Sequence, residues 1–443
     1  NNELNKKGNY CMDIVISTLR SICSAILFPP SVFILLALLV IFYFKNKKRA
    51  AMQKMIVGGS VESAIELTLS QFVFGVFGGI IGSVILNLCG VVFNENCRIE
   101  ILFFTSIILM AIKPSLVCFS YSASVLGAIS IILKIYGMIS SDVNYTNYFN
   151  LDILYIMIFV GVMHVVEGIL VLLDGHRGAV PILIKKENEI LGGYSLKRYW
   201  ILPLAIMIMA NMSELYGGFN NVSLNDIPAY WTLFKSQDQI DLLRSIFISL
   251  LSFYAVVGYS SVTYTRTKRE KAVSSGIHIS IYGALLILVA QAARIGLLGE
   301  IFVVIFAPVA HEFMLKIQRN KEMKRQPKFI SDENGLVILE IGNNFKLKDF
   351  NMDINSKIIS VNNESLNSER DIYSILKKNL SRAVIKFEDC NGVIKEVNYV
   401  HDNSRIGALF VPFNKSESQK TDDSEIREKS FKDILNNVNK NNN

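Results

Sequence analysis

The run "LDILYIMIFVGVMHVVEGILVLL", residues 151–173, holds only Asp152, His164 and Glu167 as acidic or imidazole side chains. A helix rising 1.5 Å per residue needs about 20 such residues to cross a hydrocarbon core of about 30 Å. Comparable runs recur before residue 316, giving candidate spans near 28–44, 70–93, 99–112, 116–137, 151–173, 200–217, 241–262, 277–298 and 301–315. Those at 99–112 and 301–315 are short enough to be re-entrant. Charged residues make up 19% of the chain, mean hydropathy is +0.37, and soluble domains carry about 25% charge. The expected fold class is a polytopic α-helical membrane bundle over 12–315, with about eight or nine segments, joined to a small soluble domain. Segment 12–27 contains Arg20 and precedes Pro29-Pro30, so an interfacial helix, half a hairpin and the start of one long span all remain open. Residues 1–11 resemble nothing that follows, and Met12 opens the amphipathic stretch. They are expected to be a non-structural extension.

The net charge of +7 raises nucleic acid as a partner, but the position of the charges argues against it. Segments 45–54, 174–199, 264–272 and 316–328 together hold twenty lysines and arginines, whereas 94–98, 138–150 and 218–240 hold two, Arg98 and Lys235. Every second connection is basic, the pattern of cytoplasmic loops. Residues 316–443 are therefore expected in the cytoplasm. The six cysteines, Cys11, Cys23, Cys89, Cys97, Cys118 and Cys390, form no Cys-x-x-Cys pair and are expected to be free thiols.

After a basic linker at 316–327 the pattern changes to short strands. "NGLVILEIG" (334–342) and "KIISVNN" (357–363) read as strands, the second ending in a turn where Asn tolerates left-handed geometry. "SERDIYSILKKN" (368–379) reads as a helix with Ile372, Ile375 and Leu376 on its apolar face. "AVIKFEDCNGVIKEVNYV" (383–400) reads as a hairpin around Asn391-Gly392, and "IGALFVP" as a last strand. A mainly β, α+β domain over 328–413 is expected. Its central stretch "MDINSKIISVNN" resembles the Leu-x-x-Gly-Asp-x-Ile-x-x-Val-Asn-Gly pattern of bacterial PDZ domains. Asn355-Ser356 stands for Gly-Asp, and Asn363 for the turn glycine. The resemblance implies a groove that takes an extended peptide as an added strand, formed by Gly335, Leu336, Val337, Ile338, Ile372 and Leu376. The same apolar side chains also suit a domain core.

"IKPSLVCFSYSAS" (112–124), "DGHRGAVPILIKKENEILGGYSLKRYWILPL" (174–204), "FAPVAHEFML" (306–315) and "GALFVP" (407–412) extend the likeness. In that order they are similar to the MinJ group of division-site topology proteins of Gram-positive bacteria, over most of 12–413. The resemblance implies a non-enzymatic adaptor without cofactor or catalytic residue. It implies partners such as MinD and a DivIVA-type landmark, and a place in the cell membrane at the septum or poles. The loop residues Asp174, His176, Arg177, Lys197 and Arg198 are candidates for anionic lipid or a protein partner, or for a plain basic loop beside an aromatic belt. Gly75, Gly78, Gly79 and Gly82 give overlapping small-xxx-small spacing, suited to helix packing within the chain or to a homo-oligomer.

Two further classes stay open. His311-Glu312 begins the His-Glu-x-x-His zinc motif, but the second ligand position holds Leu315. An intramembrane metalloprotease or its inactive relative is thus the main alternative, and no metal ligands are assigned. His164 and Glu167 share a helix face inside a span, which suits a mutual hydrogen bond or, for a transporter, a proton path. The tail 414–443 is polar, and disorder is expected there.

Overall fold

The computed structural model describes residues 2–29, 31–58, 61–94, 99–112, 118–140, 151–186, 189–210, 220–222, 247–332, 334–366, 368–378, 382–400 and 406–413. Cys97, Arg98, Lys235 and the tail 414–443 lie outside the described residues. Helices α1 (Asn2–Leu27) and α2 (Ser31–Val57) meet at a 69° bend beside Pro29. Helix α1 runs unbroken through residues 2–11, so the boundary expected at Met12 does not exist in the backbone. Ser63 Oγ accepts from Glu66 N and caps α3 (Ala64–Leu88). Strand β1 (Val92–Phe93) and the 13-residue α4 (Glu100–Ile112) lead to α5 (Phe119–Ser140). Asp152 caps α6 (Ile153–Asp174) in the same way as Ser63 caps α3.

Strands β2 (Val180–Lys186), β3 (Glu189–Ala210), β4 (Asn220–Val222) and β5 (Phe247–Thr263) come next. Helix α7 (Lys268–Ala290) opens with a capping box between Thr267 and Glu270. After a 3-10 turn, Gln291–Ile295, comes α8 (Leu297–Lys324). Among the described residues, five helical stretches are long and apolar enough to cross a membrane, Ala64–Leu88, Phe119–Ser140, Ile153–Asp174, Lys268–Ile295 and Leu297–Lys324, or six if the bent α1–α2 pair forms one span. The expected linker 316–327 is largely helix, the last turns of α8.

The expected spans 200–217 and 241–262 are corrected. Where described, they are strands, paired antiparallel from Tyr194↔Thr263 to Ala210↔Phe247. The ladder satisfies backbone groups on one side of β3, as any apolar surrounding demands. On the other side β2 pairs with Glu189–Ser195 and β1 with Met207–Ile208, and between them α3 supplies partners: Ser83 Oγ accepts from Ala205 N at 2.9 Å, and Asn87 Nδ2 donates to Ala205 O at 3.0 Å. Gly75 and Gly79 make the approach possible, because a Cβ on either would fall closer than 3.0 Å to the carbonyls of Ile201 and Pro203. Helix α1 lies over the outer strand, with Ser21 and Tyr254 bonding across that contact.

A hairpin that leaves and returns at one end preserves the alternation of basic loops. Its ends gather the charged segments together. Arg49 of α2 donates to Lys197 O, Lys328 N donates to Tyr264 O at 3.0 Å, and Lys328 Nζ lies 3.0 Å from Glu270. At the same end, buried Glu322 accepts from Thr263 Oγ1, Tyr264 N and both Thr265 donors at 2.8–3.0 Å.

The C-terminal module comprises β6 (Leu336–Ile341), β7 (Lys357–Val361), β8 (Glu364–Ser365), α9 (Glu369–Lys378), β9 (Ala383–Glu388), β10 (Ile394–Tyr399) and β11 (Ala408–Phe410). Its strand order is β10-β9-β7-β6-β11, with β8 on β7. Asn362 and Asn363 both take left-handed φ, 52° and 61°, in the β7–β8 turn, the geometry that twisted hairpins need. Leu336, Ile338, Ile358, Ile372, Leu376 and Phe387 share its core. The module sits on the β2–β3 hairpin: Val337, Leu339 and Val411 belong to the bundle's core, Tyr194 donates to Leu339 O, and Lys268 pairs with Glu340 at 2.8 Å.

The β9–β10 turn is pinned by Asp389, which accepts from Val393 N at 3.0 Å and Asn391 N at 2.9 Å and pairs with Lys395 at 2.7 Å. Lys395 first, then these amides, hold its carboxyl down at about 2. With the folded value below the unfolded one, this contact stabilises fully above about pH 4 and is lost as pH falls towards 2. An NMR titration of 13C-labelled aspartate in the full chain should show this midpoint. A midpoint at the ordinary aspartate value refutes the pinned turn.

Candidate functional site

The loop residues expected to meet lipid or a partner divide into two groups. Asp174 and Arg198 are 0% exposed and bind each other: Arg198 Nε donates to Asp174 Oδ2 at 2.8 Å and Nη2 to Oδ1 at 3.0 Å. Arg198 also donates to Leu67 O at 3.1 Å and to Ser70 Oγ, while Trp200 Nε1 donates to Asp174 at 2.8 Å. Every strong donor and acceptor is used internally, so these two are structural rather than recognition residues. Lys197 is exposed, and Arg177 is partly exposed with its guanidinium 3.7 Å from Asp174. His176 is half-buried and its Nδ1 has no hydrogen-bond partner among the described residues. Burial lowers the pKa of its imidazole, opposed by Asp174 and aided by Lys268, Arg177 and Arg269.

The expected peptide groove is also corrected. Strand β6 lies inside the sheet, paired with β7 through Leu336↔Ile358 and Val337↔Lys357 and with β11 through Ile338↔Phe410 and Glu340↔Leu409. Val411 N donates to Val337 O at 2.9 Å, and Gly335 N to Asp332 O at 3.0 Å. An added strand therefore finds no free backbone along Gly335–Ile338. Leu336, Val337, Ile338, Ile372 and Leu376 are all buried. The glycine stripe packs within the chain on two faces. Gly75 and Gly79 meet β3, while Gly78 and Gly82 meet Val166, Leu170 and Met163 of α6.

The chemistry-bearing residues that the fold gathers lie between α5, α6 and α8. Cys118 Sγ is 3.0 Å from His164 Nε2 and 3.6 Å from His311 Nε2, and all three ligand atoms lie within 4.8 Å of one another. His164 Nδ1 donates to Val160 O at 2.7 Å. His311 Nδ1 is 3.2 Å from Tyr121 Oη, which donates its one proton to Glu312 Oε1. The Tyr282 ring stands edge-on to both imidazoles, with centroids 4.9 Å and 5.3 Å away. Its hydroxyl donates to Ala307 O at 2.8 Å and accepts from Ser120 Oγ at 2.6 Å. The incomplete zinc motif at His311 is thus not where the set closes, since its companions come from two other segments. Reading the sequence singled out His164 and His311 separately and missed Cys118. The only signal for it was a cysteine at the start of an apolar helix.

No family model, no curated protein and no solved structure matches this chain.

Proposed function

We propose that the chain is a membrane-held adaptor, with the apolar helices in the cell membrane and the C-terminal module on the cytoplasmic side. The observation that carries this reading is the seat of the module. It is clamped to the basic end by Tyr194, Lys268 and the Gly192 N–Phe329 O bond of 2.9 Å, not left on a free linker. A recognition module held rigidly at a surface confines its partner to two dimensions, so a modest contact suffices. The working edge is then β10, which ends the sheet order, with Val393, Ile394 and Val400 exposed around it. It replaces the β6 groove as the place where a peptide strand adds, the module being PDZ-like in pattern only.

The resemblance to the MinJ group suggests the partners, a MinD-type protein and a DivIVA-type landmark, with anionic lipid under the basic end. On this reading the chain catalyses no reaction. The test is a pull-down from solubilised membranes of dividing cells, comparing the full chain with Ile394→Glu. Recovery of division-site proteins that falls several-fold in the variant supports the adaptor and its edge. Equal recovery moves recognition to the basic end, and a tagged chain spread evenly over the membrane removes the division role.

A further inference from the structure

We propose that Cys118, His164 and His311 form a three-ligand site for a thiophilic closed-shell metal ion, Zn2+ or Cu+. Proton bookkeeping on the two neutral imidazoles points there. Val160 O can only accept, so His164 carries its proton on Nδ1 and presents a lone pair at Nε2. The Tyr121 hydroxyl has given its proton to Glu312, so it accepts from His311 Nδ1. His311 Nε2 therefore also presents a lone pair. Both lone pairs face one thiol, which has a single proton to give. One buried imidazole nitrogen is left without a donor, a costly state in an apolar surrounding. His164 and His311 are only 2% and 9% exposed, so water offers little relief. A metal ion on a thiolate and two neutral imidazoles satisfies all three groups at once.

The geometry suits such an ion. Bonds of about 2.3 Å to sulfur and 2.0–2.1 Å to nitrogen set a tetrahedral S···N separation of about 3.6 Å. The Cys118–His311 pair stands at 3.6 Å and the Cys118–His164 pair at 3.0 Å, so the latter must open slightly, with all three ligand atoms already within 4.8 Å of one another. Each imidazole already has its second nitrogen bonded, to a carbonyl and to a tyrosine–glutamate relay, the outer support that metal-bound histidines need. A thiolate and two imidazoles favour soft or borderline ions over Mg2+ or Ca2+. Charge separates the two candidates. Cu+ gives a neutral centre, which an apolar surrounding favours, whereas Zn2+ leaves one positive charge that the Glu312 carboxylate offsets through Tyr121 and His311.

The full chain, purified without chelator, should carry stoichiometric zinc or copper by elemental analysis, and whichever predominates identifies the ion. After chelation, Zn2+ alone, or Cu+ alone under reductant, should raise the melting midpoint and slow alkylation of Cys118, while exposed Cys390 reacts unchanged. Cys118→Ser, His164→Gln and His311→Gln should each weaken binding by at least about tenfold. Where a variant fails to fold, Co2+ added to the wild-type protein decides, because a thiolate-to-metal absorption band must appear. The proposal is overturned if the wild-type chain holds neither metal and neither ion protects Cys118. It is equally overturned if binding survives all three substitutions.

Discussion

Arg198→Met is expected to cost about 3–5 kcal/mol of stability, because it leaves the Asp174 carboxylate fully buried without its partner. The loss exceeds that of an exposed pair, which contributes about 0–1 kcal/mol. Arg198 serves Asp174, Leu67 O and Ser70 at once, so its removal frees groups on α3, α6 and β3 together. Asp174→Leu alone should be similarly damaging, since it strands a guanidinium. The double variant, Asp174→Leu with Arg198→Met, should recover much of the loss, because two apolar side chains of similar volume leave no buried charge. Thermal denaturation of the purified chain in detergent, run as a double-mutant cycle, measures this. Strictly additive losses would mean that the two residues do not act as a pair.

Gly75→Ala and Gly79→Ala should each destabilise by about 1–3 kcal/mol or more, the range for overpacking. The obstacle is the β3 backbone at Ile201 and Pro203, which cannot rotate away as a side chain can. Gly82→Ala provides the contrast. Its new methyl would meet Val166 at 3.4 Å, an ordinary contact, while alanine's helix preference of about 0.5–1 kcal/mol acts in its favour. The fraction of chain remaining monodisperse after heating should fall sharply for the first two and stay level or rise for the third. Equal behaviour of all three would place the strand further from α3 than the structure has it.

Much of the architecture was legible because its signals are local. The spans at 70–93, 116–137, 151–173, 277–298 and 301–315 correspond to α3, α5, α6, α7 and α8, with shifted ends. In the C-terminal module, Asn362-Asn363 and Asn391-Gly392 marked their turns, since left-handed backbone restricts which residues can stand there. Strands β3 and β5 were misread because an apolar run reports burial, not period. Trp200 to Met207 is buried on both faces and so lacks the alternation that marks a half-exposed strand. The candidate site was the least legible part. His164 and His311 lie 46 and 193 residues from Cys118, and no spacing rule spans such gaps. Asp174 and Arg198, 24 residues apart, looked like loop charges because their mutual burial depends on how β3 turns back under α6.

The long β3–β5 hairpin bears on the order in which the chain is assembled. A helix closes its own hydrogen bonds and can enter a bilayer by itself, but a strand pair cannot, because each outer edge keeps unpaired amides and carbonyls. Between the stretches of β3 that pair with β2 and β1, Ala205 finds its partners in Ser83 and Asn87 on α3, and the glycines that admit the strand lie on the same helix. Helix α3 is synthesised long before β5, so a receiving surface is in place when the hairpin closes. Delaying α3, for example by supplying it as a separate fragment, should leave the hairpin exposed to protease while α6 and α7 are already protected.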